Sequence, residues 1–203
     1  MSRLEKIASL LKRHRNADGY YDDDFDEIDL KKAFGLEWIG GGISREVYRR
    51  PNGRTVFKIG DVNCNRTEWN LYKCAPAALR DLLAKPLRIS RCGRVLEMEF
   101  MPVTLDKVRG DKSWELKDEF RSHVRRQKYY SLLGSDIHTG NVGVNRRGVM
   151  KMVDYGYLTD SCATFTQARM RKRLRKMKAR RLRREASVGV GVYKHLTSQM
   201  RVS

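Results

Sequence analysis

Two carboxylates and one carboxamide carry the chemistry this sequence offers. Asp136 opens the run Asp136-Ile137-His138-Thr139-Gly140-Asn141, five positions before Asn141. Asp154 follows Asn141 by thirteen, in Met152-Val153-Asp154-Tyr155-Gly156. A hard cation such as magnesium takes oxygen ligands and keeps several waters, so Asn141, Asp154 and the phosphates of a nucleotide suffice to hold it. Asp136, standing apart, can accept a hydroxyl proton and orient that oxygen toward a phosphoryl group. Taken singly, each residue suits an ordinary Asx turn. Their mutual spacing, with Gly156 letting the chain turn away, points to phosphoryl transfer.

Residues upstream supply what such a site still needs. Ile39-Gly40-Gly41-Gly42-Ile43-Ser44-Arg45-Glu46-Val47 reads as a phosphate-covering hairpin. Gly40, Gly41 and Gly42 would let backbone amides approach a triphosphate, and Val47 would pack on the adenine of ATP. Arg45 stands where the third glycine of GxGxxG belongs, so close backbone approach is not expected there; a plain Gly-rich β-turn is the competing reading. Lys58, between apolar Phe57 and Ile59, sits on a largely buried strand and would reach the α- and β-phosphates. A buried ammonium needs a partner to offset its desolvation, and Glu68, ten residues on, is the candidate. Leu96 to Met101 reads as a strand leading to the adenine edge, with Met98 behind the pocket and backbone groups from Glu99 to Met101 bonding the base. His138 invites an acid–base or metal role, but its place in the loop suits structural packing or hydrogen bonding.

Patterning predicts the elements that position these groups. Leu4, Ile7, Leu10 and Leu11 mark an amphipathic helix, and Tyr20 to Asp29 forms an acidic block, either a solvated connector or an intramolecular mate for a basic tail. Short β-rich runs follow: Leu36 to Ile39, a Gly40–Gly42 turn, Glu46 to Arg49, then Arg54 to Ile59 after the Pro51-Asn52-Gly53 hairpin signal. Arg66 to Leu83 reads as one or two helices interrupted near Pro76, with strands at Leu87 to Ser90 and Val95 to Phe100. The expected unit is α+β: an antiparallel sheet of about five strands with a helix between the third and fourth. Trp114 to Leu133 reads as one long helix, with Leu116, Phe120, Val124 and Leu132 inward and Gly134 ending it. Strands Val142 to Val144 and Met150 to Val153, turned by Asn145 to Gly148, bracket the catalytic loop.

A chain of 203 residues with 40% hydrophobic content supports one domain with a real core plus an appendage. The net charge of +19 sets it apart from an ordinary cytosolic enzyme and favours polyanionic partners, whether nucleic acid, acidic protein or anionic lipid. Eleven Lys and Arg with no acidic residue fall between Arg169 and Arg184. Met170, Leu174 and Met177 give that segment only a thin apolar stripe, so an exposed basic helix is expected. Cys64, Cys74, Cys92 and Cys162 lack metal spacing and read as reduced thiols. No apolar run is long enough to span a membrane and no signal-peptide core is present, so a cytoplasmic location is expected.

From about Gly40 to Gly156 these residues resemble the protein-kinase-like superfamily. Asp136-Ile137-His138-Thr139-Gly140-Asn141 is similar to the DxHxGN loop of its compact branches, including aminoglycoside-type small-molecule kinases. It is also similar to the early Ser/Thr protein kinases of short-tailed bacteriophages of enteric bacteria, which join a minimal kinase domain to a strongly basic helical region. The resemblance implies a minimal kinase fold, with an antiparallel N-lobe sheet carrying one helix, a truncated helical C-lobe and a basic C-terminal helix. It implies domains at 1–33, 34–160 and 161–203, the middle one being the kinase unit. It implies ATP and Mg2+ as cofactors, Ser/Thr phosphorylation of host proteins and of the chain itself in the host cytoplasm, and host transcription shut-off. RNA polymerase would be one partner, and nucleic acid another, through Arg169 to Arg184. The sequence departs from the pattern: Gly134-Ser135 replaces the His-Arg expected before the catalytic Asp, no Ala-Pro-Glu follows Asp154, and 47 residues follow Gly156, too few for a full substrate-binding lobe. Two other readings therefore stand beside the first: a pseudokinase scaffold that binds transcription machinery or nucleic acid, and a small-molecule kinase.

Overall fold

Burying the apolar stripes and alternating strands of this sequence requires a sheet covered on both faces, and that arrangement is present. The structure is a computed structural model and describes residues 1–13, 27–42, 44–156, 171–172, 174–180 and 182. In chain order the elements are α1 (Arg3–Arg13), α2 (Glu27–Phe34), β1 (Glu37–Gly41), β2 (Arg45–Arg49), β3 (Thr55–Gly60), α3 (Val62–Cys74), α4 (Ala77–Arg80), β4 (Pro86–Ile89) and β5 (Val95–Glu99). β6 (Val103–Thr104), α5 (Lys112–Arg126), α6 (Tyr130–Leu133), β7 (Val142–Val144) and β8 (Met150–Met152) follow. The first five strands form one antiparallel sheet in the order β1-β2-β3-β5-β4, with α3 between the third and fourth strands of the chain. The class is α+β, and the second sheet is three-stranded, in the order β6-β7-β8.

Because strand side chains alternate, the five-stranded sheet serves two cores. Tyr48, Phe57, Ile59 and Val95 point outward and pack with Leu4, Ile7, Ala8 and Leu11 of α1 and with Leu30 and Leu36. Val56, Leu96 and Met98 point the other way, into a larger cluster with Leu71, Leu79, Leu83, Phe120, Val124, Ile137, Met152 and Tyr155. Glu5 of α1 also accepts a hydrogen bond from the Arg91 N–H, at 2.9 Å. α1 is therefore an integral cover of the sheet.

Four boundaries differ from the sequence reading. Gly40 and Gly41 belong to β1, paired with Val47 and Glu46, and a β-bulge between Trp38 and Gly40 shifts the register; the turn lies beyond them. α3 starts at Val62 because the Asp61 side chain accepts from the Cys64 N–H at 2.7 Å, a helix N-cap. The expected single helix from Trp114 to Leu133 breaks after Arg126. Lys128 there takes a left-handed φ of 63°, while the Lys128 and Tyr129 N–H groups close back on the Arg125 and Val124 carbonyls in a Schellman arrangement. β6 pairs with β7 and was not foreseen, two residues being too short for any periodicity to register.

Of the acidic block, residues 20–26 lie outside the described residues, as do Met170 and most of 161–203. Residues 171–172, 174–180 and 182 are helical. Leu174 and Met177 pack against the larger cluster, while Arg171, Lys172, Arg175, Lys176, Lys178 and Arg180 are exposed. The basic helix is thus seated on the core through its thin apolar stripe. Among the described residues no helix is long and apolar enough to cross a membrane.

Ile7→Ala should cost roughly 2–5 kcal/mol in urea unfolding, the usual range for a buried Ile-to-Ala truncation. A change within about 0.5 kcal/mol, typical of surface positions, would reduce α1 to an appendage.

Candidate active site

Lys58 is central to β3 and only 4% exposed. Its Nζ donates to Glu68 Oε1 at 2.7 Å and to the Val153 carbonyl at 2.6 Å, and lies 3.8 Å from Asp154 Oδ1. Lys58 and Asp154, ninety-six residues apart in sequence, therefore share one cleft. Glu68, on the buried face of α3, is fully enclosed, and its Oε1 also accepts the Tyr155 N–H at 3.0 Å. The pairing expected from sequence between Lys58 and Glu68 is present.

Arg45, which the sequence marks only as a break in the glycine pattern, is the largest addition to the site. It leads β2, in a register that places Arg45, Val47 and Lys58 on one face. Its guanidinium donates to Glu68 Oε1 at 2.9 Å, to Asn65 Oδ1 at 3.2 Å and to Asp154 Oδ1. Asn65 is held in turn by donating to the Gly93 carbonyl at 3.0 Å. Burial alone would lower the Arg45 pKa, but Glu68 and Asp154 raise it further above its ordinary value. Two cations and two carboxylates thus meet in one partly enclosed cluster. The signal for Arg45 lay in strand alternation from Val47, not in the glycine pattern.

The downstream residues converge on the same place. Asp136 ends a 3-10 turn, Gly134–Asp136, and Asn141 ends another, Thr139–Asn141. The Asn141 side-chain amide nitrogen donates to the Asp136 backbone carbonyl at 3.1 Å and to Asp136 Oδ1 at 3.2 Å, so the side-chain oxygen Oδ1 of Asn141, distinct from its backbone carbonyl, is the end left for a cation. The Val153 N–H donates to the Asn141 carbonyl at 2.8 Å, tying the loop to the strand that delivers Asp154. Burial would raise the Asp154 carboxyl, but Lys58 and Arg45 beside it hold it well below the usual carboxylate range. Asp136 moves the other way: burial, and then the negative charge of Asp154, raise its pKa. Two acids with opposed environments divide the roles, one always ionised and one able to take a proton. Asp136 Oδ2 is buried with no hydrogen-bond partner. The donor set around it, an amide oxygen and carboxylates, fits a hard divalent cation, although among the described residues there is no cluster of three or more His, Cys, Asp or Glu that could hold a metal by itself.

The remaining candidates fare unevenly. Val47 is half-buried, packs on the larger cluster and faces the cleft. Gly40 and Gly42 have open space where a Cβ would stand, but a Cβ at Gly41 would collide with the Glu46 carboxylate, which accepts from Trp38 Nε1. Gly41 therefore serves a Trp38–Glu46 contact on the outer face, and the proposed phosphate role does not fit it. The Glu99 and Phe100 N–H groups are spent on the Lys85 and Arg54 carbonyls, at 2.9 and 3.0 Å, and the Glu99 carboxylate pairs with Lys151 at 2.7 Å. Of the backbone donors in the proposed adenine contact, that leaves the N–H of Met101, a residue 6% exposed. His138 has an exposed side chain and works through its backbone, donating to Asp136 O at 3.1 Å and accepting from Asn141 N at 3.0 Å; of the structural packing or hydrogen bonding expected for it, the hydrogen bonding is present.

Two further residues shape the loop where His-Arg is missing. A Cβ at Gly134 would come within 2.8 Å of the Tyr130 ring, so that ring dictates glycine there. Arg121 of α5 donates to the Ile137 carbonyl at 3.1 Å, bringing a cation to the loop from another element. Tyr155 is fully buried and donates to the Ala84 carbonyl at 2.7 Å, anchoring the Asp154-Tyr155-Gly156 turn.

Glu68→Ala should destabilise the fold by about 3–5 kcal/mol in denaturant unfolding, because it strands two buried cations. A loss below roughly 1 kcal/mol would equate this cluster with a surface ion pair. No protein-family model matches the chain, and no curated protein matches it either.

Proposed function

We propose that this chain is an ATP-dependent Ser/Thr protein kinase of minimal protein-kinase-like fold, phosphorylating proteins and itself. The observation that carries this reading is the convergence of Lys58, Glu68 and Asp154, from three separate elements, beside Asp136 and Asn141. Asn141 and Asp154 would hold Mg2+, which when bound neutralises phosphate charge. Lys58 holds and screens the phosphates of ATP, and Met101 and Val47 border the adenine. Asp136 Oδ2, an acceptor kept buried and unpaired, takes the proton of the Ser or Thr hydroxyl. The hydroxyl oxygen bonds to the γ-phosphorus as the bond to the β–γ bridging oxygen breaks, and ADP leaves with that electron pair. Catalysis is mainly positioning and charge neutralisation.

The exposed basic face at Arg171, Lys172, Arg175 and Lys176 would recruit acidic surfaces, of RNA polymerase or of nucleic acid, consistent with a role in host transcription shut-off in the cytoplasm. A catalytically silent binding scaffold is the competing reading, favoured by one observation: Arg45 already occupies Asp154.

Radiolabel from [γ-32P]ATP should enter protein with wild type and be lost with Asp136→Ala and with Asp154→Ala. Wild-type transfer by both variants would remove the catalytic assignment, and a wild type that neither binds ATP–Mg2+ nor transfers phosphate would leave the scaffold. ATP turnover without protein labelling would indicate a small-molecule kinase.

The rate should fall with acidification through a single pKa raised from the ordinary Asp value, that of Asp136, since Asp154 stays ionised there. Stability should move oppositely. With its folded pKa raised, Asp136 holds more protons in the folded state, so its contribution declines as pH rises through that window. Asp136→Asn should accordingly raise Tm at neutral pH while abolishing transfer; a lower Tm would contradict the burial assigned to Asp136.

Arg175→Glu with Lys176→Glu should weaken binding to duplex DNA or polyglutamate and flatten its salt dependence, with ATP affinity unchanged. Lost ATP affinity would place this helix at the nucleotide site instead.

A further inference from the structure

Arg45 is housed more carefully than a misplaced glycine substitute requires. At Gly60, opposite Arg45 in the β2–β3 register, a Cβ would collide with the Ser44 carbonyl and come within 3.0 Å of the Arg45 Cα. At Gly156 a Cβ would meet the Cys64 Cβ at 2.9 Å and stand 3.0 Å from an Arg45 terminal nitrogen. Gly60 therefore permits the close β2–β3 backbone approach that carries Arg45 and Gly156 leaves room beside its guanidinium, which Asn65 and Glu68 hold at 3.2 and 2.9 Å. The cleft opens at Asp154, whose side chain is 37% exposed, and Arg45, Lys58 and the Gly156 N–H all converge on the one oxygen Asp154 Oδ1.

A guanidinium held by Glu68 has donors to spare, and its planar fork matches phosphate as well as carboxylate. The Asp154 oxygen it contacts belongs to the carboxylate assigned to the metal.

We propose that Arg45 is the phosphate-binding side chain of the glycine hairpin, and that it exchanges Asp154 for nucleotide phosphate as the divalent cation takes Asp154. This rests on the kinase reading above and extends it. Before nucleotide enters, Arg45 and the cation compete for Asp154; afterwards Arg45 and Lys58 together hold the phosphates. The glycine hairpin then works through a side chain where backbone amides alone would otherwise serve.

Opposed effects test this in the full-length chain. Arg45→Gln should weaken ATP–Mg2+ binding roughly tenfold or more by calorimetry, having lost a charge-assisted contact. Adenosine, which carries no phosphate, should change by less than about twofold. Mn2+ without nucleotide, followed by electron paramagnetic resonance, should bind several-fold more tightly, a gain that misfolding does not produce. Arg45→Lys, keeping charge but not the fork, should fall between wild type and Arg45→Gln for ATP. Equal losses for adenosine and ATP would make Arg45 merely structural, and weaker Mn2+ binding would refute the competition. A wild type that labels protein while Arg45→Gln binds ATP–Mg2+ unchanged would sink this proposal alone. A wild type that binds no ATP–Mg2+ would sink the kinase reading and this with it.

Discussion

One oxygen atom, Glu68 Oε1, organises this molecule. It accepts Lys58 from β3, Arg45 from β2 and the Tyr155 N–H from the turn after β8. Burying any of these groups without the others would leave an uncompensated charge in low dielectric, which is costly. The five-stranded sheet, α3 and the 154–156 turn are thereby committed to a single relative placement. Such a cluster need not add net stability, since desolvation consumes most of its Coulombic gain. Its effect is geometric: it sets where Asp154 stands.

The two cores give that cluster a rigid support. α1 covers one face of the sheet and the larger cluster covers the other, so β3 is packed on both sides and Lys58 emerges from the middle of a braced strand. Glu68 is likewise locked on a helix that is N-capped by Asp61 and packed through Leu71. Charged groups carried on packed elements keep their positions better than groups on loops. The loop that carries Asp136 is fastened by other means: the Asn141 amide, Arg121 on the Ile137 carbonyl and Tyr130 against Gly134.

What could be read from the sequence was whatever had a period or a charge requirement. Strand alternation and turn residues gave the antiparallel sheet, and the need of a buried Lys58 for an anion pointed to Glu68. Lys128 hid the break between α5 and α6, because a left-handed residue that is not glycine leaves no mark in sequence. Gly40 and Gly41 read as a turn because glycine usually breaks strands, whereas here a bulge absorbs them into β1. Arg45 was noticed only as a fault in a glycine motif. Its partners lie at positions 65, 68 and 154 and come together only in three dimensions, through a register that no local pattern encodes.

Two of the departures from the kinase pattern, those at Arg45 and at Gly134-Ser135, lie in the cleft itself. Arg45 in place of glycine is accommodated by Gly156, which leaves room beside its guanidinium, and by Gly60, which lets the two backbones approach. Gly134-Ser135 in place of His-Arg is matched by the Tyr130 ring over Gly134 and by Arg121 reaching the loop carbonyl from α5. In this cleft the neighbours fit the substitutions, and two carboxylate oxygens, Asp136 Oδ2 and Glu68 Oε2, stay buried without partners at the cost that burial of an unpaired acceptor carries. An unpaired buried acceptor is costly in a purely structural core, and here two of them lie in the cleft on which the proposed kinase reading rests.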